Sequence, residues 1–396
     1  MLTRQGWLCL WGGIGVLALA RLLGIGELYV FGAVAIGLVA VAVVYVRLTR
    51  LDLQVDRFVH PARVHARQVS RVDLRIRNLR RVATPVLRLR DPVSGTSGAE
   101  LLVPPLDQGA ASTASYRLPT DRRGIVRVGP LRVIVCDPFG LAQASTVAAP
   151  VVDVTVYPEV DDIRPVPFTT GNDPMAGVLQ PHALGRIGDD FYALRPYVVG
   201  DDLRRIHWPS TARHDELLVR QQEQPWQGRT TVLLDVRRVT HDAESLEAAV
   251  SAAASIVTAN SARHDLVRLA TTDGADSGFG AGGVHVQALL EHLAVVEASG
   301  SASLRAMLDV LHRDGQGALV LIVAQTSGDD LLATARLRQR FGTITVVCVE
   351  RAGARNGPVP PSASVLRISR EAPFATVWNR AMSKPDRARA AAGSAR

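Results

Sequence analysis

The sequence predicts three structural regions in series. An apolar helical hairpin comes first, an all-β, sandwich-like region follows, and a carboxy-terminal α/β region forms a Rossmann-like, doubly wound sheet. Three observations carry this expectation. Two long apolar runs open the chain, a period-two pattern occupies residues 51 to about 158, and β-branched runs alternate with amphipathic helical stretches from 229 onward. At 396 residues the chain has room for two or three domains.

The apolar runs are "WLCLWGGIGVLALARLLG" at 7–24 and "LYVFGAVAIGLVAVAVVYV" at 28–46. A membrane-crossing helix needs about 20 mostly apolar residues, which the second run meets easily. Arg21 interrupts the first run only near its end, where a long side chain reaches the headgroups. Trp7, Trp11, Tyr29 and Tyr45 lie near the run ends, as interfacial anchors do. Residues 1–50 are therefore expected to form a transmembrane hairpin in a lipid bilayer. A cleaved signal peptide ending at "ALA" (18–20) is the rival reading. Arg4 precedes the hairpin, and Arg47, Arg50 and Arg57 follow it, so the positive-inside rule places the soluble regions in the cytoplasm, on a multi-pass protein of the cell membrane.

Residues 51–160 alternate. "RVDLRIRN" puts Val72, Leu74 and Ile76 on one face and Arg71, Asp73, Arg75 and Arg77 on the other. "VLRLR", "TASYRL", "GIVRVG", "LRVIV" and "VDVTVYP" repeat the short-strand pattern between turn signals, which is the signature of an antiparallel sandwich. Residues 161–188 are rich in proline and glycine, carry no period and read as a linker. Residues 189–228 form a charged segment, and 229–382 the α/β domain. The small, basic tail 383–396 reads as disordered.

Composition excludes some functions. Net charge is +8, yet Lys384 is the only lysine among 45 basic residues, a bias typical of GC-rich coding. The arginines are dispersed and aromatics make up only 5%, unlike the clustered basic and aromatic surfaces of nucleic-acid binders. A basic surface beside an anionic leaflet fits better. Cys9, Cys136 and Cys348 have neither regular spacing nor a CxxC and read as small apolar residues.

In doubly wound sheets, ligands bind beyond the carboxyl ends of the strands, which singles out Asp235 after "TTVLL". No glycine-rich phosphate cradle adjoins it. A von Willebrand factor A-like metal site would need hydroxyls at alternate following positions, where Arg237 and Val239 stand. Thr272 and Asp273 could add oxygens, but Asp235, Thr272 and Asp273 are too few for magnesium, and two arginines beside them repel a dication. The site is expected to be degenerate, holding neither metal nor cofactor.

The segment 195–224, "RPYVVGDDLRRIHWPSTARHDELLVRQQEQ", is the other concentration of chemistry. Asp201 is placed to cap a helix over "DLRRIHW", which Pro209 would end. "ELLVRQQE" alternates and reads as a strand leading into the sheet. Asp189, Asp190, Asp201 and Asp202 face Arg195, Arg204, Arg205, Arg213 and Arg220, a set suited to bidentate pairing. Trp208 is expected to pack against the interlock. His207 and His214 admit a general base, but their spacing suits no zinc site, and no nucleophile elbow accompanies them. No catalytic set is assigned.

This segment resembles the signature of the domain-of-unknown-function 58 family at Phe191, Leu194, Arg195, Tyr197, Gly200, Asp201, Asp202, Arg204, Ile206, Trp208, Ala212, Arg213 and Glu223. Upstream, "RRGIVRVGPLRVIVCDPFGL" is similar to the same family. His207 and Pro209 depart from its common pattern. The resemblance implies a membrane-anchored partner of MoxR-type AAA+ ATPases, found alongside transglutaminase-like membrane proteins and assisting protein assembly or activation. On this basis the chain is expected to be a scaffold or adaptor. A magnesium-dependent adhesion module and a hydrolase using His207 or His214 are the alternatives.

Overall fold

The computed structural model describes residues 1–49, 51–61, 63–167, 191–197, 206–214, 216–222, 228–350, 364–369 and 371–383. The chain divides into two compact units, Met1–Val160 with Leu290–Val296, and Asp161–Leu289 with Glu297–Arg396.

The first unit opens with helices α1 (Arg4–Leu23) and α2 (Gly26–Leu48), both long and apolar enough to cross a membrane. Helix α1 begins earlier than its apolar run because Thr3 caps it, its Oγ1 accepting from Gly6 N at 3.0 Å. Gly24 ends it in the left-handed conformation, and the chain turns straight into α2. Gly6, Gly13 and Ala20 are the buried residues of α1, seven apart on one stripe. A methyl group at Gly13 would lie 3.1 Å from Ala35 Cβ, so the two backbones approach closely there, as small residues allow between apolar helices.

Ten strands follow: β1 (Leu53–His60), β2 (Val64–His65), β3 (Arg71–Asn78), β4 (Leu87–Asp91), β5 (Ala99–Val103), β6 (Ala111–Arg117), β7 (Gly124–Val128), β8 (Leu131–Cys136), β9 (Gln143–Ala149) and β10 (Val152–Tyr157). They form sheets ordered β1-β3-β6, β2-β10-β7 and β5-β4-β8-β9. The alternation is realised as expected: Val72, Leu74 and Ile76 face a shared core with Leu87, Leu89, Leu131, Val133 and Val154. Strand β9, "QASTVAA", carries too little apolar contrast to stand out in the sequence.

A buried polar knot ties these sheets together. Arg57 on β1 donates through Nη2 to Asp91 Oδ1 on β4 at 2.9 Å, and through Nη1 to the Pro150 carbonyl at 3.0 Å. Tyr116 on β6 donates to Asp91 Oδ2 at 2.7 Å. The Arg57 side chain is only 5% exposed, so it is an internal counter-charge and not a free charge at the membrane surface as the flanking-arginine pattern suggested. Burial pushes the Asp91 carboxyl up, against the pull of the Tyr116 hydrogen bond and the Arg57 charge.

In the second unit, β11 (Phe191–Pro196) and β12 (Leu218–Gln222) pair antiparallel, with α3 (Trp208–His214) between them. Then come β13 (Arg229–Leu234), α4 (Ala243–Ala262), β14 (Leu266–Thr271), α5 (Gly283–Val295), whose residues from Leu290 onward count with the first unit, α6 (Leu304–Asp314), β15 (Ala318–Val323), α7 (Gly328–Arg336), β16 (Thr343–Val349), β17 (Ser364–Ile368) and α8 (Phe374–Ser383). Strands β13 to β17 form one parallel sheet ordered β14-β13-β15-β16-β17. In order along the chain this is 2-1-3-4-5, a doubly wound arrangement whose direction reverses between β13 and β15. Strand β15, "ALVLIV", is buried at every position, as parallel strands covered on both faces are.

Three expectations change. Helix α3 starts at Trp208, so Pro209 stands in its first turn, where the missing N–H has no intrahelical partner to lose. Strand β12 pairs with β11 and not with the five-stranded sheet. The expected linker at 161–188 starts with packed chain: Ile163 and Val166 are buried, Trp378 Nε1 donates to the Arg164 carbonyl at 2.7 Å, and Asn260 Oδ1 accepts from Val166 N at 3.1 Å. Residues 168–188 and the tail from 384 lie outside the described residues.

Because Asp91 and Arg57 neutralise each other inside the first unit, Asp91→Ala is expected to cost about 3–5 kcal/mol by leaving a buried cation uncompensated. Tyr116→Phe should cost only about 1–2 kcal/mol, one hydrogen bond. Denaturant melts of the full chain in detergent check the order.

Candidate functional site

Asp235 follows β13 directly, at the carboxyl edge of the sheet where its direction reverses. Its side chain is fully buried, so its negative charge needs compensation from the protein. Arg237 supplies it. Nε lies 2.9 Å from Oδ1 and 3.1 Å from Oδ2, and Nη2 lies 2.9 Å from Oδ2. Nη2 also donates to the Gln325 carbonyl at 2.9 Å, beyond the end of β15, and Nη1 is 3.6 Å from Asp330 Oδ2 in the first turn of α7. The guanidinium therefore bridges two acids and one backbone carbonyl from neighbouring strand ends.

Hydroxyls complete the shell. Thr272 Oγ1, just after β14, donates to Asp235 Oδ1 at 3.2 Å and accepts from Val236 N at 2.9 Å. Thr240 Oγ1 donates to Oδ2 at 3.1 Å, and His241 Nε2 lies 4.0 Å from the same oxygen. Asp330 is held in turn by a capping box with Ser327, each side chain accepting from the other's backbone N–H. Burial works against the Arg237 charge, but the hydrogen bond and charge of Asp235, with the charge of Asp330, outweigh it and hold the guanidinium protonated above its ordinary range.

Of the three residues weighed as metal ligands, the structure brings together two. Asp235 and Thr272 touch, whereas Asp273 is taken by its own loop, accepting from Thr271 Oγ1 and from Ala275 N. Of the two arginines expected beside the pocket, Arg238 turns away to the Ala298 carbonyl. Arg237 goes into it and bonds the carboxylate that a cation would otherwise coordinate. The residues present do not fit a resident dication: the acid's oxygens already receive Arg237, Thr240 and Thr272. Among the described residues, no group of three or more His, Cys, Asp or Glu side chains is placed to hold a metal ion. Sequence reasoning missed Thr240 and Asp330. Thr240 reaches back because residues 237–240 turn, with Thr240 N donating to the Arg237 carbonyl.

Away from this pocket, Arg268 on β14, in register with Thr231 near the start of β13, bonds Asp276, and its Nη1 lies 3.2 Å from Asp314 Oδ2. The Arg268 hydrogen bond is the largest influence holding the Asp276 carboxyl below its ordinary range, against the opposing effect of burial.

The signature segment is described in part. Tyr197 N donates to the Leu217 carbonyl at 2.8 Å, Arg195 lies on β11 opposite Val219, and Ile206 is buried. His207 N donates to the Leu218 carbonyl, and its Nδ1 is 2.8 Å from Ser210 Oγ. Trp208 is 64% exposed and not packed as expected, because it opens α3 on the solvent side; Arg213 is exposed too. Asp189, Asp190, Gly200, Asp201, Asp202, Arg204, Arg205 and Glu223 lie outside the described residues, and so does the acid–arginine interlock expected of them.

These features define a class: a chain with two long apolar helices and a parallel α/β sheet whose switch point is closed by an internal arginine. Residues 193–366 match the family model described as Protein of unknown function DUF58, which supports the resemblance over that region. No curated protein matches. Among solved structures, similarity extends to the CARDB domain of a Pyrococcus furiosus protein, with 18% identity over 27% of this chain and 88% of that one and a TM-score of 0.21. A β-glucosidase from Listeria innocua matches at 14% identity over 24% and 16%, TM-score 0.17. The alkylpurine DNA glycosylase AlkC from Pseudomonas fluorescens matches at 12% over 30% and 38%, TM-score 0.17. TM-scores this low define no shared fold.

Three outcomes are expected here. Arg237→Ala should destabilise the chain by about 3–5 kcal/mol, since a buried carboxylate loses its partner. Asp235→Ala combined with Arg237→Ala should cost less than the two single changes summed, as coupled sites do; chemical denaturation of all four proteins measures this. The lowered Asp276 carboxyl contributes stability that is present above its unfolded value, 3.8, and is lost as pH falls through the lower folded value. Asp276→Asn should therefore flatten the acid limb of the stability–pH curve below about pH 4 and leave its shape above pH 5 unchanged.

Proposed function

We propose that this chain is a membrane-tethered, cytoplasm-facing scaffold or adaptor that works by binding proteins. Its α/β region is read as von Willebrand factor A-like, supported by the parallel sheet and by an acid at the end of the first sheet strand. Residues 51–160 are read as a sandwich-like spacer, supported by a core shared between their sheets. Uncleaved anchoring is favoured by the bonds that α1 makes through Thr3 to Gly140 and Leu141, and Arg4 and Arg47 favour a cytoplasmic body.

The observation that carries this reading is Arg237. The edge where an open sheet ordinarily receives a ligand is filled by the chain's own cation, leaving outer surface for recognition. The partner class comes from the family resemblance: a MoxR-type AAA+ ATPase, together with other membrane proteins such as transglutaminase-like proteins. Cross-linked isolation of the tagged full chain from membranes, with and without ATP, tests it. Co-isolation of an AAA+ ATPase in an ATP-dependent amount is expected, and its absence under both conditions would remove that partner. Titration calorimetry with Mg²⁺ and Mn²⁺ should show no saturable binding. Saturable binding abolished by Asp235→Ala would establish the metal-dependent adhesion module instead. Turnover in a hydrolase screen that disappears in His207→Ala or His214→Ala would establish the hydrolase.

A further inference from the structure

The turn between β8 and β9, "DPFGL" at 137–141, is fastened to the start of the hairpin. Thr3 Oγ1 donates to the Gly140 carbonyl at 2.6 Å, and Thr3 N donates to the Leu141 carbonyl at 2.9 Å. Gln143 N donates to the Met1 carbonyl at 2.8 Å. A methyl group at Gly6 would overlap the Leu141 carbonyl, so only glycine lets the turn sit against the first turn of α1. Leu141 and Ala142 are buried in one apolar cluster with Val39, Ala42 and Val46 of α2. The turn thus grips the amino-terminal end of one helix and the carboxy-terminal part of the other, which lie at the same end of an antiparallel hairpin.

The turn is also rigid from within. Asp137 is buried, and its carboxylate accepts from Phe139 N at 2.9 Å and from Ala142 N at 2.5 Å. Gly140 N donates back to the Asp137 carbonyl, and Gly140 takes the left-handed conformation that closes the turn. This internal satisfaction of polar groups leaves one feature without a place in the protein interior. Phe139, at the tip, is 64% exposed. It adjoins Gly140, whose missing side chain would point at Gln5, so it lies level with the first turn of α1, which ends at Trp7. Trp7 and Trp11 are exposed on that helix end.

From this placement we infer that the Asp137–Leu141 turn is a membrane-interface foot, with the Phe139 ring inserted among lipid headgroups at the base of the hairpin. The inference rests on the hairpin being membrane-spanning. Aromatic rings favour that zone, where one face of the environment is apolar and the other wet. Held by the turn as well as by the helices, the strand region stands on the bilayer in one fixed attitude and does not swing on a tether.

The full chain, reconstituted in phosphatidylcholine–phosphatidylglycerol vesicles, tests this. Vesicle flotation comes first; a chain that stays in the aqueous fraction refutes the membrane reading and the inference with it. Phe139→Trp is then compared with the unmodified chain and with Leu102→Trp, an exposed site on β5, the sheet edge opposite β9. The emission added at 139 is expected to be blue-shifted and largely lost when lipids carry a quencher near the headgroup. The emission added at 102 should be quenched instead by aqueous acrylamide. If the chain floats but position 139 responds as position 102 does, the foot is refuted while the anchor stands. Phe139→Asp separates this from a structural role: its melting temperature in detergent should be unchanged, while its melting temperature in vesicles falls. Equal loss in both media would assign Phe139 to packing.

Discussion

The carboxy-terminal half depends on a buried carboxylate that must be neutralised. Asp235 is fully buried at the end of the interior strand β13, and an isolated charge cannot remain there. A bound ion is one solution; a guanidinium is another. Arg237 gives the second, and its planar fork matches the carboxylate through both oxygens. Because the same guanidinium reaches the Gln325 carbonyl and Asp330, neutralising one charge also fixes the loop after β13 against the end of β15 and the start of α7. Thr272 adds the end of β14. The three strand ends at the switch point are thereby held by the protein itself.

The first unit uses the same device in a different fold. Arg57 distributes its donors to Asp91 and to the Pro150 carbonyl, and so connects strands from separate sheets. A lysine could not do this, since its ammonium lacks the spread, fork-shaped donors these partners require. The near-absence of lysine reads as coding bias from composition alone, yet at positions 57 and 237 arginine has a geometric role. Arg268 on β14, bonded to Asp276 in the loop that follows, is a third instance.

A hairpin packed through Gly13 and gripped at its base by residues 140–142 gives the first unit a defined stance. A sheet edge closed by an internal salt bridge gives the second a constant charge pattern that does not vary with ion supply. Both follow from charged and polar groups that the chain satisfies with its own residues.

Much of this was legible in the sequence, because it depends on local pattern. Apolar length gave α1 and α2, alternation gave β3, β4, β8 and β10, and helical spacing between β-branched runs gave the α/β sheet with Asp235 at its first strand end. Less was legible where local pattern and partner choice diverge. Pro209 opens a helix, β12 finds its partner in β11, and Ile163 and Val166 pack within a stretch that has no period of its own. The candidate site divides the same way. The loss of hydroxyls at 237 and 239 can be read in one dimension, and so can the positive charge that replaces them. Whether that charge repels the pocket or enters it depends on side-chain direction, on Thr240 turning back, and on Asp330 arriving from a helix nearly a hundred residues later. Burial and hydrogen-bond geometry set those relations, and they arise only when the strands lie side by side.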